Sequence, residues 1–186
     1  MSVTAAKGFV ASGVHCGIKP SGDPDLSLVA TADGHPVSAA AVFTDNKMTA
    51  APVLTSDAHL AHTGGRAAAV ILNSGNANAA TGAQGRADAQ AMCQATAAEL
   101  GCDPHEVLVC STGLIGIPLP IETILAGVPP LATARRPDGD VDAAEAIRTT
   151  DTARKVATAA VGASGAVVGG MAKGAAMLSP NMATML

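Results

Sequence analysis

The stretch Met171-Ala-Lys-Gly-Ala-Ala-Met-Leu-Ser-Pro-Asn-Met-Ala-Thr-Met-Leu186 sets the terms for the whole chain, because it gathers a lysine between small residues, a proline-led turn and an Ala-Thr bond. A threonine behind a small residue makes a candidate self-cleaving junction. Its hydroxyl attacks the preceding carbonyl, and the amino terminus released by cleavage then serves as a base for the same hydroxyl. A free α-amino group, with an ordinary pKa of about 7.7 to 8.0, suits that task near neutral pH. On this reading the scissile bond is Ala183-Thr184 and Thr184 is the nucleophile. Lys173 is either a cation poised to meet a bound carboxylate or a solvated surface lysine; its Gly and Ala neighbours leave space beside its stem, which weakens the second alternative.

Upstream, three further motifs carry polar chemistry. Cys110-Ser-Thr-Gly-Leu-Ile-Gly116 follows a short apolar run, so the Thr112 hydroxyl and the Gly113 amide can converge as two donors for an oxyanion. The other reading of this segment is a tight strand-to-helix turn. Asn73-Ser-Gly-Asn-Ala-Asn-Ala-Ala-Thr-Gly82 accepts left-handed backbone, and serves either as an anion-binding nest or simply as a loop. Thr149-Thr-Asp-Thr152 offers hydroxyls to a polar substrate or to the free carbonyls at a helix end.

Apolar runs bounded by Gly, Asn, Asp or Pro predict strands at 26–31, 37–43, 67–72, 107–110 and 155–161, the last leading to 166–168. Residues 87–100, rich in Ala, Gln, Met and Glu and stopped by Gly101, predict a helix. Residues 142–148, acidic at the start and basic at the end, predict another, and 120–126 a short third. The span 129–139 reads as a surface loop. Strands mixed with helices predict an α/β or α+β layered fold, and 186 residues suit one domain over 1–186.

With two Phe, no Trp and no Tyr, the core must be built from Ala, Val, Ile, Leu and Met. A net charge of −4 and the lack of any basic run argue against a nucleic-acid partner. The longest apolar candidate for a membrane span, 156–178, is broken by glycines and Lys173. Cys16, Cys93, Cys102 and Cys110 form no CxxC pair and no zinc-finger spacing with histidine, so they read as reduced thiols. The start Met-Ser-Val-Thr-Ala-Ala-Lys lacks the apolar core of a signal peptide, and a cytoplasmic location is expected. None of His15, His35, His59, His62 and His105 falls in a Ser-His-Asp order; each reads as a surface or packing residue.

Taken in order, Asn73-Ser-Gly-Asn-Ala-Asn-Ala, Cys110-Ser-Thr-Gly-Leu-Ile-Gly, Thr149-Thr-Asp-Thr and the closing Met171–Leu186 stretch resemble the self-processing ornithine acetyltransferases, also called glutamate N-acetyltransferases, of the cyclic arginine pathway. The resemblance covers nearly the whole chain, and its last motif is the specific one. It implies a layered α/β fold similar to, but topologically distinct from, N-terminal nucleophile hydrolases. It also implies cleavage between Ala183 and Thr184 into an α chain, 1–183, and a β chain starting at 184–186 whose remainder lies beyond this sequence. By the same resemblance Thr184 takes the acetyl group of N-acetylornithine and passes it to glutamate. Thr112 and Gly113 match the oxyanion positions, and Thr149, Lys173 and Thr184 match positions that contact substrate. No metal and no bound cofactor are implied, acetyl-CoA is a possible co-substrate, and the partner is the β chain in an α2β2 assembly. Arg148 departs from the apolar residue that relatives commonly carry before the paired threonines. The competing functional classes are a self-processing amidase or aminopeptidase using the same threonine, and a noncatalytic fragment. A chain lacking its second half is expected to expose apolar surface.

Overall fold

The structure, a computed structural model, describes residues 1–175. Two segments that alternate small and aliphatic side chains, β1 (Phe9–Val14) and β2 (Leu26–Thr31), pair antiparallel from Phe9 opposite Thr31 to Val14 opposite Leu26. β2 pairs antiparallel with β5 (Ala69–Asn76), and β5 runs parallel to β6 (Val107–Leu114), giving the sheet order β1-β2-β5-β6. Parallel neighbours require a crossover. Here it is α2 (Gly82–Leu100), which ends where expected, with Gly101 in the left-handed conformation at φ 73°, but begins five residues before Ala87.

The core lies on the face of the sheet covered by α2 and by α3 (Ile121–Thr133), where Leu26, Leu28, Ile71, Val107 and Val109 meet Met92, Ile124, Val128 and Leu131. α3 corrects the expected loop at 129–139. It continues through Pro129 and Pro130 to Thr133. Each interior proline costs about 3 kcal/mol, whereas fully burying Val128 and Leu131 returns about 1.5–3 kcal/mol apiece, and Ile124 on the same face adds a like amount. Packing therefore matches the backbone penalty.

The other face takes α4 (Asp140–Ala146), received by hydroxyls: Ser27 Oγ donates to the Ala143 carbonyl at 3.1 Å, and Ser74 Oγ to that of Ala146 at 2.5 Å. The predicted strand at 37–43 shrinks to β3 (Val37–Ser38), which pairs only with β4 (Arg66–Ala67). Beyond it Ala39 and Phe43 serve as packing against Leu60 and Leu108 rather than as ladder residues.

An unforeseen helix, α1 (Ala51–Thr63), guards the open edge of β6. Ser56 Oγ donates to the Val109 carbonyl at 2.8 Å and accepts from the Val109 amide at 2.9 Å, while His59 Nδ1 donates to the Val107 carbonyl at 2.8 Å. Side chains thus satisfy edge groups that another strand would otherwise seek.

The last described elements form a separate antiparallel hairpin, β7 (Lys155–Val161) and β8 (Ala166–Ala172), from Lys155 opposite Ala172 to Val161 opposite Ala166. Its residues are mostly exposed on both faces, Val156, Val161, Val167 and Val168 among them.

Candidate active site

The site is built where β5 and β6 end side by side. Gly75 lies opposite Gly113, and the ladder shifts register at Asn76. The approach is so close that a Cβ on Gly113 would stand 2.3 Å from the carbonyl carbon of Gly75 and 2.6 Å from the Asn76 nitrogen. Gly113 also has φ 136°, in the region that favours glycine. Two independent constraints therefore select glycine next to Thr112.

Thr112 is fully buried, and its hydroxyl accepts a 2.8 Å hydrogen bond from Lys173 Nζ. This contact joins motifs 61 residues apart. Lys173 is itself buried, 8% exposed, just beyond the end of β8, so it is not the solvated lysine of the alternative reading. Burial pushes its ammonium below the usual lysine pKa; the negative Asp151 opposes that fall and the positive Lys155 adds to it.

Asp151 sits in the turn between α4 and β7. Its Oδ1 accepts from Lys155 Nζ at 2.5 Å and from the Gly174 amide at 2.9 Å. Burial alone would raise its carboxyl, but the Lys155 hydrogen bond, the Gly174 amide and the charges of Lys155 and Lys173 outweigh this and hold it below the usual carboxylate range. Arg148, the departure noted in the sequence, fastens the same turn: Nε and Nη2 donate to the Asp151 carbonyl at 3.3 and 2.7 Å, and Nη1 pairs with Glu145. Its contacts are polar and local, which explains how a cation serves at that position.

Thr112, Gly113 and Lys173 are thus brought together. Thr149 lies half-buried in the Arg148–Asp151 turn, near in sequence to Asp151, and its hydroxyl has no hydrogen bond to Thr112 or Lys173 among the described contacts. Ala183 and Thr184 lie outside the described residues.

The Asn-rich motif resolves in favour of structure. Asn73 Nδ2 donates to the Asn76 carbonyl at 2.8 Å, Asn76 Nδ2 to the carbonyls of Ile117 and Pro118, and Asn78 Nδ2 to that of Gly85. The amides expected to form a nest are engaged internally: Ser74 with Asp25, Ala77 with Leu114, and Asn78 with the Asn76 side chain. A nest does exist elsewhere, closed by the protein's own anion. The fully buried Asp25 carboxylate accepts the amides of Cys16, Gly17, Ile18 and Lys19 at 2.6 to 3.2 Å. That loop carries Ile18, whose Cγ2 would stand 2.8 Å from a Cβ on Gly75, so Asp25 supports the Gly75–Gly113 contact from behind.

A concavity at the start of α2, between Thr81, Gln84, Asp88 and Pro118, does not include Thr112 or Lys173. Among the described residues no cluster of His, Cys, Asp or Glu is arranged to hold a metal, and no helix is long and apolar enough to cross a membrane.

Residues 10–186 match the ArgJ family. The chain belongs to that family. It is 53% identical over its full length to the arginine biosynthesis bifunctional protein ArgJ of Streptomyces coelicolor, and 45% identical over 99% of its length to that of Prochlorococcus marinus. The chain spans about half the length of these curated relatives, 47% and 43%. Among solved structures it resembles ornithine acetyltransferase of Mycobacterium tuberculosis, a complex with ornithine, at TM-score 0.89 and 46% identity, covering 100% of this chain and 96% of that one. It also resembles ArgJ of Bacillus halodurans at TM-score 0.87 and 38% identity, covering 100% and 95%. The mixed α/β architecture is therefore that of the family's solved members.

Proposed function

We propose that this chain is the first half of a self-cleaving acetyltransferase of arginine biosynthesis, and that Thr184 is the residue that both cuts and carries the acetyl group. The observation that carries this reading is the 2.8 Å hydrogen bond from Lys173 to Thr112, with Gly113 held beside it. A threonine hydroxyl that accepts from an ammonium becomes a stronger donor. With the Gly113 amide it would stabilise the oxyanion that forms when Thr184 attacks a carbonyl. From Lys173 to Thr184 the chain is 11 residues long, able to span up to about 40 Å, so Thr184 has the reach to return to Thr112.

In the first reaction the Thr184 hydroxyl adds to the Ala183 carbonyl carbon, the C–N bond breaks so that the amide becomes an ester and the Thr184 amine is freed, and water then cleaves the ester, leaving a carboxylate on Ala183 and restoring the Thr184 hydroxyl. In the second, that amine takes the Thr184 hydroxyl proton while the oxygen attacks the acetyl carbon of N-acetylornithine. The acetyl–nitrogen bond breaks, ornithine leaves with the proton, and the acetyl ester on Thr184 then passes to the amine of glutamate. Lys173 and Thr149 would bind substrate, Lys173 through a carboxylate. Acetyl-CoA is a second possible donor, no metal is called for, and the setting would be an α2β2 assembly in the cytoplasm. Coverage of 96% of the solved Mycobacterium chain, against 47% of the Streptomyces protein, supports a division of the relatives' polypeptide near this point.

The test uses the complete gene product. Thr184→Ala should leave the precursor uncut, and the processed wild type should gain an acetyl group on Thr184 from N-acetylornithine and yield acetylglutamate when glutamate is added. Cleavage in Thr184→Ala, or release of acetate unaffected by glutamate, would overturn the reading in favour of a different nucleophile or of hydrolysis.

A further inference from the structure

The proposed chemistry leaves the buried Asp151 carboxyl, next to the Lys173 that bonds Thr112, without a task. Asp151 is 5% exposed, and among the described residues its side chain pairs with one side-chain cation, Lys155. Its Oδ2 is buried with no hydrogen-bond partner among the described residues. Taking a carboxylate out of water costs several kcal/mol, and an unmet acceptor adds about 1–3 kcal/mol. The ends of the hairpin do not require such a group, since β7 and β8 are already paired at Lys155 and Ala172. The turn is nevertheless firmly held: Arg148 grips the Asp151 carbonyl, Glu145 pairs with Arg148, and Arg154 lies 3.8 Å from Glu145.

We propose that Asp151 is a positioning residue for the acetyl-transfer reaction: its carboxylate fastens the start of β7 to the Gly174 amide beyond β8, and so keeps the Lys173 ammonium charged and seated on the Thr112 hydroxyl. Gly174 immediately follows Lys173, so the 2.9 Å bond to its amide fixes the backbone from which the lysine extends. The electrostatic part acts through space. Among the described residues the ionisable groups acting on Lys173 are Asp151 from the turn and Lys155 from β7, while β6 contributes the Thr112 hydroxyl. Lys155 also donates to the Gly174 carbonyl, so two ammonium groups share one corner of the hairpin. Asp151 is the negative charge that makes this arrangement tolerable. Without it, burial and Lys155 both favour a neutral Lys173, which would neither attract a substrate carboxylate nor donate strongly to Thr112.

This inference rests on the acetyl-transfer reading and is tested on the processed enzyme made from the complete precursor. The pH profile of kcat/KM for N-acetylornithine should fall on the acid side with the Thr184 amine and on the alkaline side with Lys173. Asp151→Asn, which keeps shape and loses charge, should lower kcat/KM about 10- to 100-fold and move the alkaline limb to lower pH. Lys155→Met should move that limb to higher pH, because it removes the competing ammonium. Opposite displacements are the signature of an electrostatic role, since a merely structural role would lower both rates without moving the limbs apart. Alkaline limbs that stay in place, or move in the same direction, would overturn the proposal. If Asp151→Asn fails to fold or process, the Lys155→Met limb alone decides, upward for and unmoved or downward against. A wild type that never acetylates Thr184 would sink the functional reading itself, whereas an active wild type with unmoved limbs would sink only the role of Asp151.

Discussion

Replacing Gly113 by alanine adds one carbon to the tightest point of the site. That carbon would lie 2.3 Å from the Gly75 carbonyl carbon, whereas non-bonded carbons rest at about 3.5–4.0 Å, so β5 and β6 must part by about 1 Å or more. Forced overpacking of this kind costs about 1–3 kcal/mol, and holding alanine at φ 136° adds about 1–3 kcal/mol. A loss of about 2–6 kcal/mol is expected. Gly101→Ala supplies the control: Gly101 also has positive φ, 73°, but a Cβ there meets nothing within 4 Å, so only a backbone penalty of about 1–2 kcal/mol applies. Urea unfolding of the precursor, carried on a Thr184→Ala background so that it stays intact, measures both variants. In the cleavable background a displacement of about 1 Å between oxyanion donors and nucleophile should slow processing on the order of 100-fold, followed by gel electrophoresis. Equal stability losses at the two glycines would refute the close-contact argument, and normal processing of Gly113→Ala would remove Gly113 from the oxyanion site.

Two further outcomes test the scaffold. The Asp25 carboxyl is held below its ordinary range: burial works against ionisation, but the amides of Cys16, Lys19 and Ile18 and the Cys16 thiol outweigh it. Its stabilisation is therefore fully present above the unfolded value near 3.9 and lost as pH falls through the depressed folded value; Asp25→Asn should be less stable at pH 7 and show a shallower acid-side loss in urea melts, and an unchanged acid slope would refute this. Ser56→Ala strips the edge strand of the hydroxyl that serves both polar groups of Val109, and should destabilise the protein by about 1–3 kcal/mol; a change below about 0.5 kcal/mol would mean that water replaces the hydroxyl.

The parts of the fold legible in the sequence were those where apolar residues alone set the pattern. β2 and β7 have the expected bounds, and α2 ends at its expected glycine. α1 was hidden because the residues it turns inward include Thr55, Ser56 and His59, polar groups that bind the β6 edge and erase the apolar stripe a helix normally shows. β1 was hidden for a related reason: Ser12 is fully buried and donates to the Leu131 carbonyl, so a hydroxyl occupies a core position. At the site, Thr112, Gly113 and Lys173 were legible as donors, but their meeting depends on β8 returning to the end of β6, which no local pattern reports. Asp151 was visible only as the acid inside Thr149-Thr-Asp-Thr152; a carboxylate among hydroxyls four residues before Lys155 was the available signal.

The two ends of the described chain differ in how completely they are built, and on the proposed reading the difference bears on where a second half would dock. Around the four-stranded sheet, α1 closes an edge, α2 and α3 cover one face, and α4 lies on the other. Among the described residues the β7–β8 hairpin has less cover: the Ser2 carbonyl and Ala5 lie against Gly169, but Val156 and Val168 are 49% and 60% exposed, and a two-stranded hairpin by itself is marginally stable in water. Yet this poorly covered element supports the buried Lys173, and through it the contact to Thr112. An element that must hold an ammonium to a fraction of an ångström needs more support than its own ladder provides. The chain spans about half the length of its curated relatives, and on the proposed reading the remaining part of such a polypeptide would supply that support. If so, charging the hairpin surface by Val168→Lys should leave the four-stranded core intact by urea unfolding while lowering processing of the full precursor, and retention of full processing would place the second half elsewhere.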